Sequence, residues 1–391
     1  MRRRAVIIQM ARLGDLIQSL PAIEALTQTY PHTDFDVLCS APLADLARTG
    51  FPVMHVVPWD GCRWREWSHS WFRNGRSILE TIKAHLGQLI PVCYDDAYAL
   101  NHHERAILTA HLLAQHVIGS GQFGPLAEEV APWTRYLRQI AGERSHNRVH
   151  LADAFCGLCG VRPTGRAPRL VVSPVQLPAD LSEIGNTNGF WVAVVVGAGD
   201  SSRCIPCPIW TDWITRFLFT HPQGRVVLVG SGLEREMAQG IQGALSPLLL
   251  GRVWDATGRT DLNQLMTVLS QVAWVIGADT GPLHLGTALG ARAVGFYFAR
   301  ARVHETGPYG DGHRVFQHHG QQLPDSWPVQ ESVDVILNDH CADCEHWDLW
   351  RSRLDEWGAS FSGRRNENGR SSQREEMWRQ LSPSLFATAS T

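Results

Sequence analysis

The chain has almost no lysine: Lys83 stands alone among 35 basic residues, the rest being arginine. We read that bias as genome composition rather than a functional device. It also has no apolar run approaching about 18 residues, which excludes a membrane-spanning helix of ordinary length. Excess charge of one sign is missing too. A net charge of -3 sets up no overall field for nucleic acid. A secretory leader is not legible: Met1-Arg2-Arg3-Arg4 has a suitable charge, but the apolar run behind it is short and a helix with acidic residues follows. The segment reads as the first strand of a cytoplasmic protein. What is present is ordinary for a soluble globular chain, 44% hydrophobic with a mean hydropathy of -0.15. A length of 391 residues suits two domains, each burying its own core.

The most informative stretch is Val275-Ile276-Gly277-Ala278-Asp279-Thr280-Gly281-Pro282-Leu283-His284-Leu285-Gly286-Thr287-Ala288-Leu289-Gly290. It reads as a buried strand ending in an acid, then a glycine turn into a helix. In an open parallel sheet, ligands bind just outside the carboxyl ends of the strands. Gly281 lets backbone approach a ligand, and a helix that begins near Pro282 offers N–H groups to an anion such as a diphosphate. A second stretch has the same form. Ala5 to Met10 is an apolar run of strand length, Gly14-Asp15 makes the turn, and Leu16, Ile17, Leu20, Ile23 and Leu26 space out a helix with Pro21 in its opening turns. By itself, Asp15 reads as a helix cap.

Together these stretches resemble glycosyltransferase family 9, the ADP-heptose:lipopolysaccharide heptosyltransferases. Asp279, Thr280, Gly281, His284, Ala288 and Leu289 fall in register with the family's donor motif, and Gly14, Asp15 and Pro21 with its opening motif. The resemblance runs over roughly residues 4–335 and implies an α/β protein of GT-B architecture, two Rossmann-like domains with a cleft between them. The rhythm of the sequence agrees, since strands and helices alternate in both halves. Strands are expected at 5–10, 34–39, 53–57 and about 91–95, and again at 191–196, 226–229, 274–277 and 293–298. The expected division is an acceptor domain over 1–165, a proline- and glycine-rich linker over 166–188, a nucleotide-sugar domain over 189–335, and a C-terminal extension over 336–391. The tail from about Arg351 is polar and reads as partly disordered, with one short helix at 373–380.

The resemblance also implies roles. Asp15 would be the general base that takes the acceptor hydroxyl's proton. Arg203-Cys204-Ile205-Pro206-Cys207-Pro208-Ile209-Trp210 follows the family's K-x-W-P-x-x-x-W loop, with Arg203 in the lysine place and Ile205 replacing the tryptophan. Arginine suits a diphosphate because its charge is permanent and its fork bonds bidentately, although the exchange is not conservative. Glu234, with Glu236 as second choice, would hold the nucleotide ribose. Asp279 would take donor-sugar hydroxyls, Thr280 and Gly281 line the diphosphate turn, and His284 lies beside it. No cofactor and no metal is expected. The only Asp-x-Asp triplet, Asp34-Phe35-Asp36, reads as a strand start. Expected partners are a nucleotide-diphosphate sugar and a glycolipid or glycan acceptor, with no nucleic acid. The expected location is the cytoplasm, with peripheral contact to the inner membrane left open.

Three features stay open at this stage. Tyr94 to Asn101 loosely follows a family segment, and His102, His103, Glu104 and Arg105 after it mark either an acceptor place or a solvated helix start. The Trp-rich segment 58–76, with Trp59, Trp64, Trp67 and Trp71, suits a membrane- or acceptor-facing loop. Among nine cysteines, Cys156/Cys159, Cys204/Cys207 and Cys341/Cys344 form C-x-x-C pairs. The last, between His340 and His346, is the best metal candidate, but reduced structural thiols are the preferred reading. Three functions compete: heptose transfer from an ADP-sugar to a lipopolysaccharide inner core, the same chemistry on a protein (autotransporter) or another glycan, and an inactive sugar-nucleotide-binding or scaffold protein.

Overall fold

The computed structural model describes residues 2–61, 80–90, 93–120, 131–142, 144, 147–185, 189–320, 322–363 and 371–386. The chain forms two compact units. The first comprises Met1–Glu143, Leu151–Thr164 and Ser371–Thr391, the second Arg144–His150 and Gly165–Arg370. Trp64, Trp67 and Trp71 lie outside the described residues.

The first unit holds a parallel sheet of β1 (Arg3–Gln9), β2 (Thr33–Ser40), β3 (His55–Trp59), β4 (Tyr94–Ala99) and β5 (Ala114–Gly119), in the order β3-β2-β1-β4-β5. This is a Rossmann-like order, reversing direction at β1/β4. Ala5, Val6, Ile7 and Ile8 are wholly buried, as a central strand covered on both faces must be. β4 begins later than expected and carries Asp95 and Asp96 inside it. Those acids belong there because β1 brings arginines alongside. Arg3 donates to Asp96 from Nε at 2.6 Å and from Nη2 at 2.8 Å, and Asp95 accepts the Arg4 backbone N–H at 2.9 Å.

The single helix expected after β1 is two helices, Leu13–Gln18 and Leu20–Thr29. Pro21 sits in the first turn of the second, where its missing N–H costs nothing. Between them the Ser19 hydroxyl donates to Leu16 O at 2.7 Å. Trp59 belongs to the Trp-rich run expected to face a membrane or an acceptor. It is 3% exposed at the end of β3, edge-on to His85, and works as core.

The second unit holds β6 (Phe190–Val195), β7 (Gly224–Val229), β8 (Val253–Asp255), β9 (Trp274–Ala278), β10 (Arg292–Tyr297), β11 (Arg314–His318), β12 (Trp347–Asp355) and β13 (Gly358–Gly363). Their order is β13-β12-β11-β10-β9-β6-β7-β8, parallel from β8 to β11 and antiparallel across β11-β12 and β12-β13. The order reverses at β6/β9. Helix Cys207–Thr220 seals one face with Trp210, Trp213, Ile214, Phe217 and Leu218, Trp213 stacking on Phe217 at 5.2 Å. Each such side chain, fully buried, contributes about 1.5–3 kcal/mol. The stretch expected as a linker runs along this unit: Leu170 N–H donates to Ala288 O at 2.8 Å, Val175 N–H to the Thr267 hydroxyl at 3.1 Å, and Leu181 is buried.

The tail is more regular than its composition suggested. β12 and β13 form a hairpin where disorder was expected, because Trp350 and Ser352 turn inward while Arg351 and Arg353 turn out. Composition hides an alternation that period-two burial reveals. Helix Ser371–Leu381 follows, close to the span expected. Its Trp378 is completely buried in the first unit, 4.7 Å from the ring of Trp133. Trp133 in turn donates from Nε1 to the Ser382 hydroxyl at 2.6 Å and lies flat over Gly157, where a Cβ would overlap its ring.

Trp378→Ala should therefore destabilise the first unit by about 3–5 kcal/mol, the range for deleting a fully buried indole. Urea unfolding followed by circular dichroism checks it. An unchanged midpoint would mean that the tail helix contributes no packing.

Candidate functional site

The site of the second unit forms where its strand order reverses, at the carboxyl ends of β6 and β9. Glycines bring the elements together there. A Cβ on Gly277 would lie 2.8 Å from the Val195 Cβ, and one on Gly286 would lie 2.8 Å from Val275 Cγ1. Gly277 thus lets β9 lie against β6, and Gly286 seats helix Gly281–Ala288 directly on its strand. Thr280 is the N-cap of that helix, but its hydroxyl turns back to Ala278 O at 3.2 Å and makes no side-chain cap. Without a capping side chain, the first turn relies on other partners for its N–H groups, as anion-binding helix heads do.

Asp279 is the centre of the cluster. Arg203, at the end of the turn Ser201–Arg203, donates from Nη1 to Asp279 O at 2.8 Å and to its Oδ2 at 3.3 Å. The turn itself is held by Asp200, whose Oδ1 accepts Ser202 N–H at 3.0 Å. His284, one helical turn on, meets Asp279 Oδ1 at 3.1 Å through Nε2, and the Thr306 hydroxyl donates to Oδ2 at 3.1 Å. Burial pushes the Asp279 carboxyl up. The His284 hydrogen bond and charge, the Arg203 guanidinium and Thr306 outweigh it, and the pKa falls below its ordinary 3.8. The structure therefore brings Arg203, Asp279, Thr280, Gly281 and His284 into one place. Ile205, in the family's tryptophan position, is 2% exposed, so that exchange is a change of core packing.

Glu234 ends the turn Gly232–Glu234, and its Oε2 accepts from the Ser231 N–H at 2.7 Å and hydroxyl at 2.5 Å. It thus serves as a helix-start charge, and it also lies over the end of β6, where any Cβ on Gly197 would overlap its Cγ. Glu236 is exposed on the following helix.

In the first unit, Asp15 is half-buried in the short helix Leu13–Gln18, its Oδ2 accepting the Arg12 N–H at 3.3 Å. The carboxyl ends of β1 and β4 are tied together by Asn101, which accepts from Met10 N–H at 2.6 Å and donates to Gln9 Oε1 at 2.5 Å. A cavity of about 310 Å³ opens there, lined by Met10, Ala11, Trp59, Asn101, His102 and Arg105 among others. His103 is a cap, its Nδ1 accepting Arg105 N–H at 3.2 Å. Burial, and then the charge of Arg138, lower the His102 pKa.

Sequence reading missed the helix Val303–Thr306. Thr306 lies 27 residues beyond Asp279 and carries no motif, and a local pattern gives no signal for it. The helix is fixed from several sides: Tyr297 OH donates to Thr306 O at 2.6 Å, His150 Nε2 meets Gly307 O at 2.7 Å, and a Cβ on Gly307 would overlap Phe361 of β13. Burial lowers the His150 pKa to about 4, so at neutral pH it is uncharged.

The cysteines divide by environment. Cys156 and Cys159 are buried around helix Leu151–Leu158 and burial pushes both thiols up, the character of packing rather than reactive residues. Cys204 turns its sulfur toward Asp200 O at 3.8 Å. A hydrogen bond with Cys341, then burial, push the Cys344 thiol up. Among the described residues, no three His, Cys, Asp or Glu side chains gather in a way that could hold a metal ion.

Residues 214–330 match the family model for glycosyltransferase family 9 (heptosyltransferase). The matched stretch carries Glu234, Asp279, Thr280, Gly281 and His284 and leaves Asp15 and Arg203 outside it. No curated protein sequence matches the chain. Among solved structures, the glycosyl transferase family 9 protein from Veillonella parvula DSM 2008 is 17% identical, with a TM-score of 0.62 over 88% of this chain and 92% of that one. E. coli ADP-heptose lps heptosyltransferase II is 19% identical, with a TM-score of 0.60 over 86% of this chain and 99% of that one. E. coli heptosyltransferase WaaC with ADP is 20% identical, with a TM-score of 0.61 over the same shares, 86% and 99%. At these identities the likeness is one of fold, the α/β architecture of GT-B heptosyltransferases with one Rossmann-like sheet in each unit.

Because folding lowers the Asp279 pKa, its ionised carboxylate stabilises the folded chain fully above pH 3.8, and that contribution is lost as pH falls through the lowered value. Asp279→Asn should be less stable than the wild type at pH 7, with the gap closing in the acid range below pH 3.8. Urea midpoints at a series of pH values check this. A gap that stays constant into that range would show that the cluster does not hold Asp279 ionised.

Proposed function

We propose that this chain, a glycosyltransferase of the heptosyltransferase type, transfers a heptose or related sugar from an ADP-sugar to a lipopolysaccharide inner-core acceptor without a metal ion. The observation that carries the reading is the Asp279 cluster at the β6/β9 reversal, within the stretch that matches the family. Transfer joins the acceptor oxygen to the sugar's anomeric carbon as the bond from that carbon to the diphosphate oxygen breaks. The acceptor must lose a proton and the departing ADP must be met by positive or dipolar groups.

Asp15 takes the proton. Arg203 spends Nη1 on Asp279 and has further donors in its guanidinium for the diphosphate. The head of helix Gly281–Ala288 supplies the uncharged part of the cradle, with Thr280 and Gly281 at the turn and His284 beside it. Glu234 takes the ribose hydroxyls, and Asp279 lies on the sugar side. The metal-free reading is supported by the Asp-x-Asp triplet, which is already engaged. Asp34 pairs with Arg2 at 3.1 Å, and Asp36 accepts from Arg4 at 3.0 Å and Tyr94 at 2.6 Å and meets His55 at 3.1 Å. The acceptor reading rests on one of the similar structures, E. coli ADP-heptose lps heptosyltransferase II. The cavity beside Met10 and Asn101 is its candidate place, on a cytoplasmic enzyme able to visit the inner-membrane surface.

The test uses ADP-heptose with a lipopolysaccharide core acceptor. Asp15→Asn should cost about 10²–10⁴-fold in transfer, the usual worth of a general base, with ADP-heptose affinity unchanged. Arg203→Ala should weaken binding of ADP and ADP-heptose alike. An Asp15→Asn variant that keeps more than about a tenth of wild-type transfer would require another base.

The metal-free reading has its own check. Transfer should survive EDTA, and elemental analysis should find little zinc or iron. One metal per chain, lost in Cys341→Ser, would overturn it.

A further inference from the structure

The donor cluster contains a second carboxyl that the reading above does not use. Glu305 precedes Thr306 on the helix Val303–Thr306, which Tyr297, His150 and Phe361 hold in place beside Asp279. The two carboxyls are satisfied very differently. Asp279 Oδ1 is met by His284, and its Oδ2 by Thr306 and Arg203. Glu305 Oε1 lies 3.6 Å from Arg144 Nε, beyond good hydrogen-bond length, and its Oε2 is buried with no hydrogen-bond partner. Buried polar atoms in folded proteins are nearly always bonded, so an orphan at a binding site points to a partner that arrives with the ligand. The side chain keeps 16% of its surface exposed, and the last torsion of a glutamate is soft, so a turn of the carboxyl brings the buried oxygen to a ligand.

We infer that Glu305 is a donor-sugar specificity residue, binding a hydroxyl of the transferred sugar through Oε2, while Asp279 mainly organises Arg203 and His284. The inference rests on the donor-site reading and refines its account of the sugar. A carboxyl suits the task in either protonation state, accepting from a hydroxyl when ionised and donating to one when protonated. Burial raises the Glu305 pKa, Arg144 opposes that, and Asp279 adds to it. A carboxyl with a reduced tendency to ionise also avoids repelling the nearby diphosphate. Its fixed helix gives discrimination, because a donor lacking the matching hydroxyl leaves the buried oxygen unbonded.

Calorimetry with ADP, ADP-heptose, ADP-mannose and ADP-glucose tests this on the full chain. Glu305→Ala should weaken the preferred ADP-sugar by about tenfold or more, leave ADP alone unchanged, and narrow the spread among the three sugars. Glu305→Gln, which keeps the shape and both hydrogen-bonding roles, should recover much of the affinity, and Glu305→Met, similar in length but without a polar tip able to bond a hydroxyl well, serves as the test should the alanine variant fail to fold. An alanine or methionine variant with wild-type affinities and an unchanged order of preference for all three sugars would overturn the inference. Wild-type protein that binds neither ADP nor any ADP-sugar would instead overturn the donor-site reading, an outcome visible before any variant is made.

Discussion

A single buried carboxylate sets the layout of the second unit's site. Asp279 ends a strand with no exposed residue before it, and a charge at that depth is tolerated only if it is paired and hydrogen-bonded. Its partners come from three separate places: Arg203 from the turn after β6, His284 from the helix after β9, and Thr306 from the short helix after β10. Each of those segments follows a strand of the same parallel sheet, so meeting one charge draws together three loops at the sheet's carboxyl edge. The glycines at 277 and 286 are what let the strand and helix approach closely enough for this.

A different charge problem organises the first unit. Its central strand begins with arginines, and the neighbouring strands answer with acids: Arg2 with Asp34, Arg3 with Asp96, Arg4 with Asp36. Acids are poor strand formers, and their presence in β2 and β4 makes sense only across the ladder. Tyr94 shows the depth of this arrangement, since burial, and then its bond to Asp36, hold its hydroxyl well above the ordinary range. Exposed versions of these pairs would be worth little. Here Asp36 and Asp96 are nearly buried, so what they prevent is an unpaired charge in the sheet.

These contrasts explain what could be read from the amino-acid order. The Asp279 turn was legible because strand, acid, glycine and helix are adjacent in the chain, and the Asp15 turn for the same reason. Glu234 was legible as an acid after a glycine turn, though not its bond to Ser231. Thr306 and Glu305 were not, because their place depends on where β10 leaves them in space. Trp59 was legible only as part of a Trp-rich run, because an indole gives the same letter in a core as at the wall of a cavity. The hairpin β12–β13 was hidden by polar composition, and the break at Ser19 by apolar spacing that continues across Pro21. Periodicity reveals which residues face inward, whereas tertiary partners decide where an element stops.

The interleaving of the two units along the chain has a consequence for biosynthesis. Strands β1 to β5 emerge from the ribosome first, yet the helix that carries Trp378 emerges after every strand of the second unit. Domains usually fold as they are synthesised, from the N-terminus onward. Here the first unit waits with the face around Trp133 and Gly157 uncovered until the last part of the chain arrives. Nascent chains stalled before residue 371 should thus expose an apolar surface that chaperones recognise, while the second unit, whose residues are all made by then, needs no later segment to close it.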